Sequence, residues 1–351
     1  MTHNRFAHFD PLRLKINDLK LIFGNEDRGL LEELAGAARA VTRQYFGRVI
    51  SLYAPLYISN YCRNRCVYCG FQAARTRVVR SKLTLSEIER ECEALASTGI
   101  RSCLMLTGES RFHSPPSYIK EAVVIAGRYF PNVSLEVYAL ETEEYASLFH
   151  AGADGVTMFQ ETYDRERYDE LHLAGPKKDY DYRYLAPGRM AEAGFRHLGM
   201  GPLLGLTEWH EEVPRFFAHV HSLEKDYPGV EYTLSFPRIR PVPADKGRYF
   251  EVNDRDMVKI VSVGRLLFPR AGINLSTRES PSFRDRIIEF GVTKMSAGSL
   301  TSVGGYADRE KAQGDGQFEV HDPRSLVEIK EMLIKKGYDP VVTDWRNIAQ
   351  A

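Results

Sequence analysis

Strand-like runs alternate with helical stretches along most of this chain, and that alternation limits the fold more than any other feature. The runs are Leu52–Ser59, Arg101–Thr107, Val133–Tyr138, Gly155–Phe159, Arg196–Gly201, Val230–Phe236, Gly272–Ser276 and Thr293–Ser296. Short apolar runs bounded by turn residues read as strands. One helical stretch opens at Thr84, where Thr84-Leu-Ser-Glu87 has the form of a capping box, and closes near Gly99. Others cover Ser117–Tyr129, Thr142–His150, Asp181–Ala193, Trp209–Lys225, Asp254–Phe268 and Pro281–Phe290. Eight strand–helix units predict an α/β protein built as a closed (β/α)8 TIM-type barrel. The rival is an open, doubly wound sheet. Residues 1–50 read as an N-terminal helical leader, 51–304 as the barrel, and 305–351 as a C-terminal extension packed on it, with a helix at Arg324–Lys336.

In such a barrel, chemistry sits at the C-terminal ends of the strands and in the loops that follow. The first of these loops carries three of the five cysteines, in the run YISNYCRNRCVYCGFQ over residues 57–72. Cys62, Cys66 and Cys69 are spaced C-x3-C-x2-C. An odd total with three cysteines in eight residues is a poor disulfide framework and a good ligand cluster in a reducing compartment. Three thiolates on one loop can ligate three irons of a 4Fe–4S cubane and leave the fourth iron open. S-adenosylmethionine (SAM) can chelate that iron through its amine and carboxylate, and an electron from the cluster then releases a 5′-deoxyadenosyl radical. A zinc site is the bland alternative, but zinc takes four ligands, commonly in pairs, and neither His8 nor His113 stands at a paired spacing. A non-enzymatic iron–sulfur carrier is the other alternative, and it ordinarily has four protein ligands. Cys92 and Cys103 fall in a predicted helix and strand and read as core.

The formal net charge is zero, so nothing in the overall charge argues for nucleic acid or for a cationic partner. No run of 18 apolar residues suggests a membrane span, and the polar start, MTHNRFAHFDPLRLK, has no secretory pattern. A cytoplasmic protein is the expectation.

With this cysteine motif on the first strand of a barrel, the chain resembles radical SAM enzymes. The strings PLYISNYCRNRCVYCGF, LTGE (106–109), FQETY (159–163), SFPRIRP (235–241), STRESPSFRDR (276–286), SAGSLTSVGGY (296–306) and QFEVHDPRSL (317–326) follow in order. Together they resemble the 2-iminoacetate synthase family, the tyrosine lyase of thiamine biosynthesis usually called ThiH. The hydrogenase maturase HydG is similar but carries a further cysteine motif near its C-terminus. Here that stretch, Gly337-Tyr-Asp-Pro-Val-Val-Thr-Asp-Trp345, has no cysteine. A tryptophan lyase of antibiotic biosynthesis is also similar, and the barrel motifs alone do not choose between the two amino acids.

The resemblance implies one 4Fe–4S cluster, SAM, and cleavage of the Cα–Cβ bond of L-tyrosine to 2-iminoacetate and p-cresol. It also implies a flavodoxin or ferredoxin as electron donor and a thiazole synthase (ThiG) that receives the imine. It places Tyr68 beside the adenine. Thr107 and Glu109 are expected at the methionine amine of SAM, with Gly108 allowing close backbone approach, Glu161 at the ribose hydroxyls and Arg183 at the methionine carboxylate. Arg278 is the candidate for the substrate carboxylate, since a guanidinium fork matches a carboxylate; the alternative is a rim salt bridge with Glu279 or Asp285. Ser296 and Tyr57 are candidates for the substrate amine or ring, against a satisfied turn hydroxyl and ordinary packing. Of Arg238 and Arg240, one is expected in the pocket and one on a surface acid. His172 is a candidate for SAM contact or proton carriage, and Trp209 and Trp345 read as packing.

Overall fold

The computed structural model describes residues 10–240, 248–308 and 316–343. Eight parallel strands close on themselves: β1 (Val49–Ser59), β2 (Ser102–Thr107), β3 (Asn132–Glu136), β4 (Gly155–Glu161), β5 (His197–Pro202), β6 (Glu231–Ser235), β7 (Gly272–Leu275) and β8 (Lys294–Ser296). β1 pairs with both β2 and β8, which closes the barrel and rules out the open sheet. The pairing register followed from Tyr57 round all the strands returns to β1 at Val49, eight residues lower. That stagger is the shear of a TIM barrel, and it means each strand's partner sits deeper than the last.

Local chemistry explains most element boundaries. Thr84 caps the helix Leu85–Ser97 and Glu87 reaches back to the Thr84 amide, so the capping box forms. The helix expected over Asp181–Ala193 is two, Tyr180–Tyr184 and Ala186–Glu192, because Pro187 in the first turn of the second has no amide to continue the first. A short helix, Arg165–Leu171, also follows β4, where its seven mostly charged residues hide the apolar period. Before the barrel, the helix Arg28–Phe46 lies against Asp254–Leu267, and Phe23 meets Trp209 edge-on at 5.1 Å. Trp209 is therefore packing; Trp345 lies outside the described residues.

A ninth strand, β9 (Asp339–Val341), was not legible as one. It pairs with β1 at Val49–Ser51, below the stretch of β1 that pairs with β2. Ser102 of β2 donates to the Val342 carbonyl at 3.0 Å, so β9 fills the bottom of the gap between β1 and β2. No described helix is long and apolar enough to cross a membrane.

Candidate active site

Strand β1 delivers the cysteine loop to the barrel mouth, where close backbone packing holds it. Gly70 follows Cys69, and a Cβ there would come within 2.6 Å of the Gln317 carbonyl. Gly108, after β2, presses on the Tyr61 carbonyl and leaves no room for a side chain. Its close approach is thus to the cysteine loop itself. Arg63 donates its amide to the Glu109 carbonyl at 2.8 Å, and Asn64 donates to the Glu109 carboxylate at 2.6 Å. Loss of hydration pushes the Cys66 and Cys69 thiols up, and neighbouring cysteines add to this.

The three thiols of this loop lie near enough to act on one another's ionisation. Among the described residues, no three His, Cys, Asp or Glu side chains are gathered as a single metal ion requires. The donor set therefore fits a ligand that spans three thiols, as a cubane does, better than one ion.

Beside the loop lies a buried ionic group. Glu161, the last residue of β4, has φ +71°, the only positive φ of a non-glycine among the described residues. Its carboxylate meets Lys177 Nζ at 2.5 Å and Arg183 Nη2 at 3.8 Å. Burial pulls the Glu161 carboxyl upward, but the two cations outweigh it and leave it below its ordinary value. Lys177 answers in kind: burial and Arg183 lower its pKa, and Glu161 reverses them, leaving it raised. Arg183 also donates to the Phe159 carbonyl at 2.7 Å. Thr107 Oγ1 is buried with no partner among the described residues.

Tyr68 lines the cavity, and its hydroxyl lies 2.7 Å from His172 Nε2. His172 Nδ1 faces the Tyr168 carbonyl at 2.7 Å, so Nδ1 bears the proton and Nε2 accepts from Tyr68. Burial, aided by Lys177, lowers the His172 pKa to about 3. This fully buried histidine has both nitrogens engaged and is not among the residues lining the cavity; it orients Tyr68.

The opposite wall is built by β6–β8 and residues 316–322. Gly70 donates to the Gln317 carbonyl, and His321 and Asp322 donate to the Thr277 carbonyl, so this segment crosses the mouth from the cysteine loop to β7. The Tyr57 hydroxyl donates to Gln317 Oε1 at 2.6 Å. The Arg278 guanidinium stacks on Phe318 at 3.6 Å. Arg278 has no carboxylate partner among the described residues, and burial lowers its pKa. The acids that competed for it are taken: Glu279 pairs with Arg238 and, at 3.6 Å, with Arg240, while Asp285 pairs with Arg324 at 2.8 Å. Arg238 is further held by Asp254 and sits on Phe283, whereas Arg240 lines the cavity. Ser296 Oγ is buried close to the Tyr53 hydroxyl and makes no hydrogen bond of ordinary length among the described residues, and its carbonyl accepts from Arg284 at 2.5 Å. Arg284 in turn meets Asp322 at 2.5 Å, both fully buried, which ties the end of β8 to the crossing segment.

A cavity of about 840 Å³ runs down the barrel and touches both walls: Tyr57, Tyr68, Cys69, Glu161 and Lys177 on one, Arg278 and Ser296 on the other, with Tyr57 tied across to Gln317. Lys177, Gln317 and Glu136 line it too and were not foreseen from sequence. Lys177 and Gln317 sit in loops with no residue pattern of their own. Glu136 had one available signal, a carboxylate at the C-terminal end of a barrel strand.

The Radical SAM superfamily matches residues 56–217, and the Biotin and Thiamin Synthesis associated domain matches residues 235–339. The chain is 36% identical to the 2-iminoacetate synthase of Salmonella typhimurium, over 97% of this chain and 95% of that enzyme. It is 36% identical to the 2-iminoacetate synthase of Escherichia coli, over 95% of this chain and 88% of that one. The crystal structure of HydG, a maturase of the FeFe-hydrogenase, superposes with a TM-score of 0.90 at 35% identity, covering 96% of this chain and 75% of HydG.

Proposed function

Because the chain belongs to the 2-iminoacetate synthase family of radical SAM enzymes, we propose that it cleaves the Cα–Cβ bond of L-tyrosine. The products are 2-iminoacetate and p-cresol, with 5′-deoxyadenosine and methionine released, and the imine serves thiazole formation in thiamine biosynthesis. When bound, one 4Fe–4S cluster and SAM supply the radical that removes a hydrogen atom from the substrate amine. Cys62, Cys66 and Cys69 hold the cluster. Tyr68, Thr107, Gly108, Glu109, Glu161 and Arg183 hold SAM.

One observation carries the reading: Cys69 and Arg278 line a single cavity. An amino acid gripped at its carboxylate by Arg278 then shares one sheltered chamber with whatever the cysteine loop holds. The guanidinium is buried and lacks an acid of its own, so a ligand carboxylate satisfies it. Tyr57, held by Gln317, and the Ser296 hydroxyl hold the amine or the ring. The closed walls exclude water from reactive species. Residues 51–304 form the catalytic barrel, with 1–50 a leader and 305–351 an extension that completes the mouth. A flavodoxin or ferredoxin delivers the electron, a thiazole synthase takes the imine, and the protein works in the cytoplasm.

The test is anaerobic reconstitution with iron and sulfide, followed by dithionite, SAM and one amino acid at a time. We expect 5′-deoxyadenosine and p-cresol from tyrosine. Absence of 5′-deoxyadenosine from a cluster-loaded protein overturns the radical reading. An indole product from tryptophan, with none from tyrosine, overturns the substrate.

A further inference from the structure

The cavity holds one carboxylate that the reaction, as assigned so far, does not use. Glu136 ends β3 and lines the barrel interior. Its remaining exposure is to this chamber. Tyr57, Leu106 and Glu136 are successive register partners across β1, β2 and β3. With the stagger of this barrel, two strands lower the level by about two residues, so Glu136 sits roughly 5 Å deeper than Tyr57.

Glu136 makes no ion pair and no hydrogen bond among the described residues. Of the charges it feels, Glu161, Lys177 and Arg183 are spent on one another, and Arg278, stacked on Phe318, is the cation that awaits the substrate carboxylate. Below it, Asn274 is engaged with Tyr53 and Ser235 at 3.1 Å each. Burial, reinforced by Glu161, raises the Glu136 carboxyl to about 7. A carboxylate kept without a cation or a donor costs stability and returns none of it through structure. Such a group is explained by a donor that arrives with the ligand.

The ligand's own shape names that donor. With its carboxylate at Arg278 on the rim, an L-tyrosine directs its ring into the barrel, and its para-hydroxyl is the polar group furthest from the carboxylate. We infer that Glu136 accepts a hydrogen bond from the phenolic hydroxyl of the substrate, and so selects a hydroxylated ring over a plain one. This rests on the tyrosine reading above. A site built to bond a hydroxyl discriminates strongly against the analogue lacking it, because its buried acceptor is then left unpaired.

The test compares wild type and Glu136→Gln as reconstituted holoenzymes. The readouts are kcat/KM for tyrosine, the inhibition constant of L-phenylalanine, SAM affinity and melting temperature. We expect tyrosine kcat/KM to fall roughly 3- to 10-fold, the difference between a charged acceptor and the neutral amide oxygen that replaces it. Phenylalanine inhibition and SAM affinity should hold, and the melting temperature should not drop. Glu136→Asp, which keeps the charge of the acceptor, should recover part of the loss; if Glu136→Gln loads no cluster, the tyrosine-to-phenylalanine ratio is read from Glu136→Asp, where a several-fold narrowing is expected. An unchanged ratio overturns the assignment, as does an equal loss for both amino acids or a loss of SAM affinity. Wild type is the reference arm: if it makes no p-cresol, the tyrosine reading falls and this inference with it. Unchanged selectivity in the variant beside an active wild type sinks this inference alone.

Discussion

The two walls of the barrel mouth are built to different rules. On the wall of β1–β5, the polar groups beside the cysteine loop are matched to each other, and Thr107 and Glu136 are the exceptions among the described residues. Glu161 has Lys177 and Arg183, Tyr68 has His172, and Glu109 has Asn64. On the wall of β6–β8, Arg240 and Asn274 are engaged, but two groups facing the cavity are left open among the described residues: Arg278 has a ring beneath it but no acid, and the Ser296 hydroxyl makes no hydrogen bond of ordinary length. The matches to known families divide at the same place, before and after residue 217–235. A wall whose charges are internally matched is preorganised for a ligand of constant shape. Unmatched groups, Arg278 on one wall and Glu136 on the other, wait for the ligand to complete them, and these are where specificity is set.

The largest effect that tests this contrast is loss of the cluster. Cys66→Ala should abolish iron–sulfur absorbance after reconstitution and with it all 5′-deoxyadenosine, whichever amino acid is supplied. Next is Arg278→Ala, which removes the unmatched cation. Tyrosine kcat/KM should fall about 10- to 100-fold, the range of a charged hydrogen bond, while SAM affinity stays at the wild-type value. A parallel loss of SAM affinity breaks the division into two walls.

Glu161→Gln probes the matched wall and should do the reverse, weakening SAM first. It also has a pH signature. The folded Glu161 carboxyl lies below its ordinary value of 4.5. Its contribution to stability is therefore complete above that value and is lost as pH falls through the lowered folded value. In acid titrations of stability followed by circular dichroism, wild type should lose stability more steeply below about pH 4.5 than Glu161→Gln, whose curve should be flatter over that window. Smallest is Gln317→Ala, which frees the Tyr57 hydroxyl. One neutral hydrogen bond predicts a KM for tyrosine raised by about 2- to 10-fold, with kcat held; no change would mean that the crossing segment does not shape the substrate wall.

The barrel was legible because each strand declares itself locally. Runs such as Gly155–Phe159 and Thr293–Ser296 lie between turn residues, and helices such as Leu85–Ser97 carry their own caps. β9 was not legible, since Asp339–Val341 is three residues long and is a strand only because β1 extends beneath β2 to meet it. His172 shows a related limit: its place in a loop after a strand is read from sequence, but its partners, the Tyr68 hydroxyl and the Tyr168 carbonyl, are given only by the fold.

By itself the sequence determined the alternation that closes a barrel and the loop on which three thiols stand. Both are properties of neighbours along the chain: periodicity and spacing act within a few residues, so a one-dimensional pattern carries them. Only the tertiary structure decided which charges are spent and which are free. Lys177 reaches Glu161 across 16 positions, Gln317 reaches Tyr57 across 260, and Glu279 goes to Arg238 and leaves its neighbour Arg278 open. Pairing energies depend on distance through space and on burial, and neither is written in the order of the residues.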